Sequence, residues 1–161
     1  MQEGLRRKDE ILEYNINAKI GIDPAIKAKY DQADNKARLL LRNLSETSQE
    51  RLNEAAIKSC ITEVTRIKYF LDREDMTSEY FNALGELSVA KRLGIDVSQV
   101  KGIDLEAKCN NTSSVMTKKI LLVIFIGKEL DIQIDADRAS NAITISELSR
   151  LVYEQLEKRM S

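Results

Sequence analysis

Histidine and tryptophan are absent from the 161 residues, and proline occurs once, at Pro24. Without histidine the chain cannot build a Ser-His-Asp or Cys-His nucleophile, a histidine general base or most ordinary zinc sites. Glycine is scarce. Of Gly4, Gly21, Gly85, Gly94, Gly102 and Gly127, no set clusters into a phosphate-cradling loop. The two cysteines, Cys60 and Cys109, are far apart and lack a Cys-x-x-Cys context. They read as small apolar residues, not as a disulfide or a metal pair. The longest apolar run, Ile120 to Ile126, has seven residues, against the roughly 18 that a membrane span needs. The first residues, with Arg6, Arg7, Lys8, Asp9 and Glu10, hold no apolar stretch fit for a signal peptide, so a cytoplasmic location is expected. No excess of one charge exists either: 25 basic residues face 26 acidic ones. Up to Asp75 there are 14 of each sign, and beyond it 11 basic and 12 acidic. Neither half has the basic footprint of a nucleic-acid binder, so no nucleic-acid or membrane partner is expected. Conventional side-chain catalysis is not expected, and a non-enzymatic role takes precedence.

What is present suits a globule with a core: 43% of residues are hydrophobic and 32% charged. The first half reads as helices. Asp23-Pro24 is a start signal, because Asp accepts from free first-turn amides and Pro gives up only an amide that would be unpaired. Ile26, Tyr30, Ala33, Ala37, Leu41 and Leu44 then form one apolar stripe. Ser45 to Gln49 interrupt it. Thr47 with Glu50 reads as a capping box, and Leu52, Ala56, Cys60, Val64, Ile67 and Leu71 continue as a second stripe. Two such stripes predict an antiparallel hairpin, with a less regular helix at about Leu5 to Ile20 before it. Tyr14, Tyr30, Tyr69, Phe70 and Tyr80 read as core or rim residues.

Asp72 to Thr77 is the boundary candidate, which divides the chain into an N-terminal region, 1–75, and a second domain, 76–161. A helix from about Ser78 to Leu93 follows, capped by Thr77 or Ser78 and stopped by Gly94. From Ile95 to Ser113 no helical period is visible. Thr144 and Glu147 form a further capping box for a terminal helix lined by Ile145, Leu148, Leu151, Val152 and Leu156. Residues 118–134 leave two readings open. By propensity they are a strand, a Gly127-Lys128 turn and a second strand, which would make the fold α+β. They read equally as a buried helix entered from Ser114, with Leu130 to Ile134 as a loop.

From Thr77 onward the order of features resembles an acyl or peptidyl carrier protein, the four-helix module that bears a phosphopantetheine arm. Leu93-Gly94-Ile95-Asp96-Val97-Ser98-Gln99-Val100 is similar to the family's Leu-Gly-Val/Ile-x-x-x-x-Val. Ser114 lies fourteen residues past Val100, where the family places its modified serine. Leu130-Asp131-Ile132-Gln133-Ile134 resembles the family's Phe-x-Ile-x-Ile, and Asp135 to Val152 its short third and capped fourth helices. The fold this implies is mostly α, with an N-terminal hairpin or three-helix unit before a carrier-like four-helix bundle. Val115, Ile120, Val123, Ile126, Ile145 and Leu148 would line its interior.

The resemblance implies a non-enzymatic carrier. Ser114 would hold 4'-phosphopantetheine, added by a phosphopantetheinyl transferase, and the arm would present a thioester-linked group to acyl-processing enzymes. The family's Asp-Ser-Leu stands here as Ser113-Ser114-Val115, and Lys118 and Lys119 occupy positions where the family offers acidic residues to basic grooves on its partners. Without modification, Ser114 would be a helix N-cap.

Two other readings use other residues. Glu86, Asp96, Glu106 and Lys108 look like parts of a magnesium-dependent PD-(D/E)xK nuclease, if adjacent strands bring them together. The long hairpin Asp23 to Leu71 is also what a non-catalytic adaptor uses to form a homodimer or dock partner helices.

Overall fold

The computed structural model describes residues 23–106 and 113–160. The helix expected at Leu5 to Ile20, together with Tyr14, Lys108 and Cys109, lies outside them. Seven α-helices and no strand occur among the described residues: α1 Pro24–Ser45, α2 Glu54–Lys68, α3 Phe81–Leu93, α4 Val100–Glu106, α5 Ser114–Leu130, α6 Ala136–Asn141 and α7 Ile145–Met160. The fold is mostly α, and no helix there is long and apolar enough to cross a membrane. The chain divides within α1 into two compact units, Met1–Asn35 and Lys36–Ser161.

In the first unit Asp23 starts α1 as expected, its carboxylate accepting from the Ala25 amide at 2.8 Å. Ile26 and Tyr30 of the expected stripe are exposed. In the second unit α1 continues with Ala37, Leu41 and Leu44, all buried. The Thr47–Glu50 capping box does not form. Thr47 donates instead to the Asn43 carbonyl at 2.8 Å, and the turn closed by Arg51 N to Ser48 O uses up the next residues. Asn53 caps α2, accepting from Ala56 N at 2.8 Å. The buried face of α2 is Ile57, Ile61 and Val64, one residue round from the expected Ala56 and Cys60, since larger side chains remove more apolar surface from water. Of the aromatic residues, Tyr69 is buried, Phe70 half-buried, and Tyr30 and Tyr80 exposed.

The helix expected from Ser78 begins at Phe81. Its start is set by backbone pairing with the segment before α7, Phe81 N donating to Ile143 O and Ile145 N to Glu79 O. Gly94 ends α3 with φ +65°, a conformation other residues enter only at a cost. Two short helical pieces, the 3-10 turn Val97–Gln99 and α4, occupy the stretch where no period was visible. The Thr144–Glu147 box forms as expected, with Glu147 N donating to Thr144 Oγ1 and Thr144 N to Glu147 Oε2.

The greasy run is a helix, and the strand pair at 118–134 is absent. Ser113 opens α5, and Asp131, in the left-handed region at φ +52°, closes it, with Ile132 N donating to Gly127 O. Leu122, Ile126 and Leu130 then face the core. One apolar core joins Leu41, Ile57 and Ile61 to Phe81, Leu122 and Leu148. The expected division at 75/76 therefore does not separate two cores, because α2 packs on α7 and α3 on α5.

Candidate functional site

Ser113 leaves helical dihedrals (φ −71°, ψ 157°), and its hydroxyl accepts from Met116 N at 3.0 Å. The capping role thus falls to Ser113, and Ser114 becomes the first helical residue, half-buried. An N-terminal turn carries amides without intrahelical partners and the positive end of the helix dipole, so an anionic group on Ser114 would be favoured there. Val115, next in the chain, is seated against α3. A Cβ on Gly85 would stand 2.6 Å from Val115 Cγ1. The missing side chain lets the two helices approach and pins the first turn of α5.

At about 100° per residue, Ser114, Leu121 and Lys128 share one stripe of α5. Leu121 and Ile124 are 58% and 59% exposed. On the same side of the helix, Met116, Ile120, Ile124 and Lys128 border a cavity of about 730 Å³, whose lining also includes Ile132 and Asp135. The bundle interior inferred from the resemblance holds for Val115, Ile126, Ile145 and Leu148, which are buried, while Val123 is half-buried. Ile120 is exposed at the cavity instead, because the single-residue step from Lys119 carries it past the core-facing side.

The two lysines differ. Lys119 is buried, its ammonium donating to Ser140 O at 2.9 Å and lying 5.7 Å from the Phe81 ring centroid. Burial lowers its pKa and the charge of Glu147 partly restores it. Lys118 is half-buried with its ammonium 5.8 Å from the Tyr69 ring. Burial and then the like charge of Arg92 lower its pKa.

No family model, curated protein or solved structure matches this chain. The residues of the nuclease reading are not brought together by strands. Glu86 sits half-buried on α3, 3.9 Å from the Lys101 ammonium. Asp96 is a cap: hydrogen bonds from the Ser98 hydroxyl and amide hold its pKa low. Glu106 ends α4, and Lys108 lies outside the described residues. Among the described residues no group of three or more Asp, Glu or Cys is placed to hold a metal ion. Cys60 is half-buried, its thiol donating to Leu40 O at 3.6 Å and pushed by burial up to about 11.

Sequence reasoning missed the cavity and the outward pair Leu121 and Ile124. A signal for both was present. Seven consecutive apolar residues wrap most of the way round a helix, so a helix with one buried face must leave some of them in water.

Proposed function

We propose that the chain is an acyl or peptidyl carrier whose Ser114 bears a 4'-phosphopantetheine arm. The observation that carries this reading is the position of Ser114 in the first turn of a 17-residue helix, followed by a short helix, α6, and a capped one, α7, in the order the resemblance implies. The cavity beside Met116 and Ile120 adds support, since its Val123, Ile132 and Ile134 offer apolar contact to a group tethered nearby.

The chemistry asks little of the chain itself. Ser114 Oγ attacks the phosphorus of coenzyme A that bears the pantetheine. The new Oγ–P bond replaces the phosphoanhydride bond, 3',5'-adenosine bisphosphate leaves, and the serine proton passes to a base on the transferase. The phosphodiester remains beside the first-turn amides of α5. The terminal thiol then carries its cargo as a thioester. No histidine is required of the carrier.

Intact-protein mass spectrometry after incubation with coenzyme A and a broad-specificity phosphopantetheinyl transferase tests the proposal. The expected result is a gain of one phosphopantetheine per chain that Ser114→Ala abolishes and Ser113→Ala does not. An unchanged mass, or a gain that survives Ser114→Ala, overturns it.

A further inference from the structure

Lysine is rarely buried without a carboxylate to pair with it. Lys119 is 7% exposed, and among the described residues no carboxylate lies within ion-pair distance of its ammonium. Its hydrogen bond goes to Ser140 O, in the last turn of α6. A lysine that only caps a helix end ordinarily leaves its ammonium in water. Here both Lys119 and Ser140 belong to the lining of the cavity of about 730 Å³, a volume that suits a small organic molecule. Ile120 and Ile134 in the same lining are apolar. Lys128 and Asp135 border the cavity with one charge of each sign, so neither an acid nor an amine is favoured at that border over a neutral molecule. Burial lowers the pKa of Lys119 and Glu147 only partly restores it, which enlarges the share of free amine at neutral pH.

We propose that Lys119 is a nucleophilic amine that forms an imine with an aliphatic aldehyde lodged in this cavity. The inference concerns the unmodified chain and does not rest on Ser114. The Nζ lone pair adds to the carbonyl carbon, the carbonyl oxygen takes up a proton as the nitrogen releases one, and the hydroxyl then leaves as water. Overall the ammonium and the aldehyde give the protonated imine and one water, with no change of charge. The N–H that the protonated imine retains can still donate to Ser140 O. Its positive charge keeps the surroundings of the ammonium, with the Phe81 ring centroid 5.7 Å from Nζ and the charge of Glu147 nearby. Glu147 is itself held by the Ile143 and Thr144 amides, so it acts by its charge without clamping the amine in an ion pair. The alkyl chain lies against Ile120 and Ile134.

Hexanal and sodium cyanoborohydride, added to the full chain at neutral pH and followed by peptide mapping in the mass spectrometer, test the site. Cyanoborohydride delivers hydride to the imine carbon and fixes each adduct as a secondary amine. Lys119 should gain its hexyl group about tenfold faster than the exposed Lys36 and Lys128. Acetaldehyde, which lacks the chain, should show a smaller preference. Hexanol, which fills the cavity without reacting, should slow the reaction at Lys119 and leave Lys36 unchanged. Lys119→Arg keeps a cation and a donor for Ser140 O, and should remove the fast adduct alone. The map of the parent chain decides the matter even where that variant does not fold. Alkylation of Lys119 no faster than that of Lys36 overturns the proposal. So does a fast reaction that hexanol leaves untouched, or protection by hexanoate without protection by hexanol, which would mark a carboxylate site instead.

Discussion

At the scale of single residues the sharpest anomaly is Tyr69. It is 1% exposed, and among buried side-chain polar atoms in the described residues its hydroxyl alone has no hydrogen-bond partner. Its carbonyl is satisfied by the Ser88 hydroxyl at 2.6 Å, so the ring is held in place without the phenol. A buried hydroxyl with no partner forfeits its hydration and receives nothing in return. Tyr69→Phe should therefore raise stability by about 1 kcal/mol in chemical denaturation, the lost packing of one oxygen being the smaller quantity. The Lys118 ammonium would keep its aromatic face. A loss of stability would mean that the phenol has a partner in solution.

Between elements, the contact that matters most for Ser114 is the seat of Val115 on Gly85. A Cβ at Gly85 falls far inside contact distance of Val115 Cγ1 and 3.5 Å from the Val115 backbone. Because the obstacle is a short, β-branched side chain with one backbone atom behind it, α5 must shift or Val115 must leave its rotamer. Gly85→Ala should cost about 1–3 kcal/mol of stability, the range for an overpacked interior. Val115→Ala in the same chain should restore part of it by emptying the site that the new methyl enters. A Gly85→Ala chain as stable as the parent in thermal unfolding would show that the two helices stand further apart than described.

Across the whole molecule, Glu79 ties three elements together. Its carboxylate accepts from the Ser146 hydroxyl at 2.7 Å in α7 and pairs with Lys58 of α2 at 3.1 Å, just ahead of α3. The Ser146 hydrogen bond first, and Lys58 second, hold its pKa below the ordinary glutamate value of 4.5. A carboxyl whose pKa is depressed by folding contributes stability above its unfolded pKa and loses it as pH falls through the folded one. Glu79→Gln should thus be less stable than the parent at neutral pH by about 1 kcal/mol or less, as suits a partly exposed pair. The difference should close as the pH is taken well below 4.5. A gap in denaturation midpoint that stays constant from neutral to acid pH would remove Glu79 from this role.

How much could be read beforehand follows the range of the forces involved. Asp23 before α1, Gly94 after α3 and the Thr144–Glu147 box before α7 are legible because each cap closes hydrogen bonds with residues no more than five positions away, so the chain carries the instruction locally. The false box at Thr47 failed within the same range: Thr47 and Asn53 offer rival caps, and only the turn at Ser48 to Arg51 selects the second. Ser114 starts its helix, as the sequence predicts, but its neighbour Ser113 takes the cap. The sequence alone therefore determined a mostly helical chain, its principal stops and the absence of histidine chemistry. Tertiary structure decided the rest. Ile120 to Ile126 suits a strand or a helix equally until Gly85 seats Val115 and the core accepts Leu122 and Ile126, because burial depends on what stands opposite. The packing of α2 on α7 joined regions that a polar stretch at Asp72 to Thr77 divides in the sequence, and that of α3 on α5 turned Leu121, Ile124 and Lys128 to the outside.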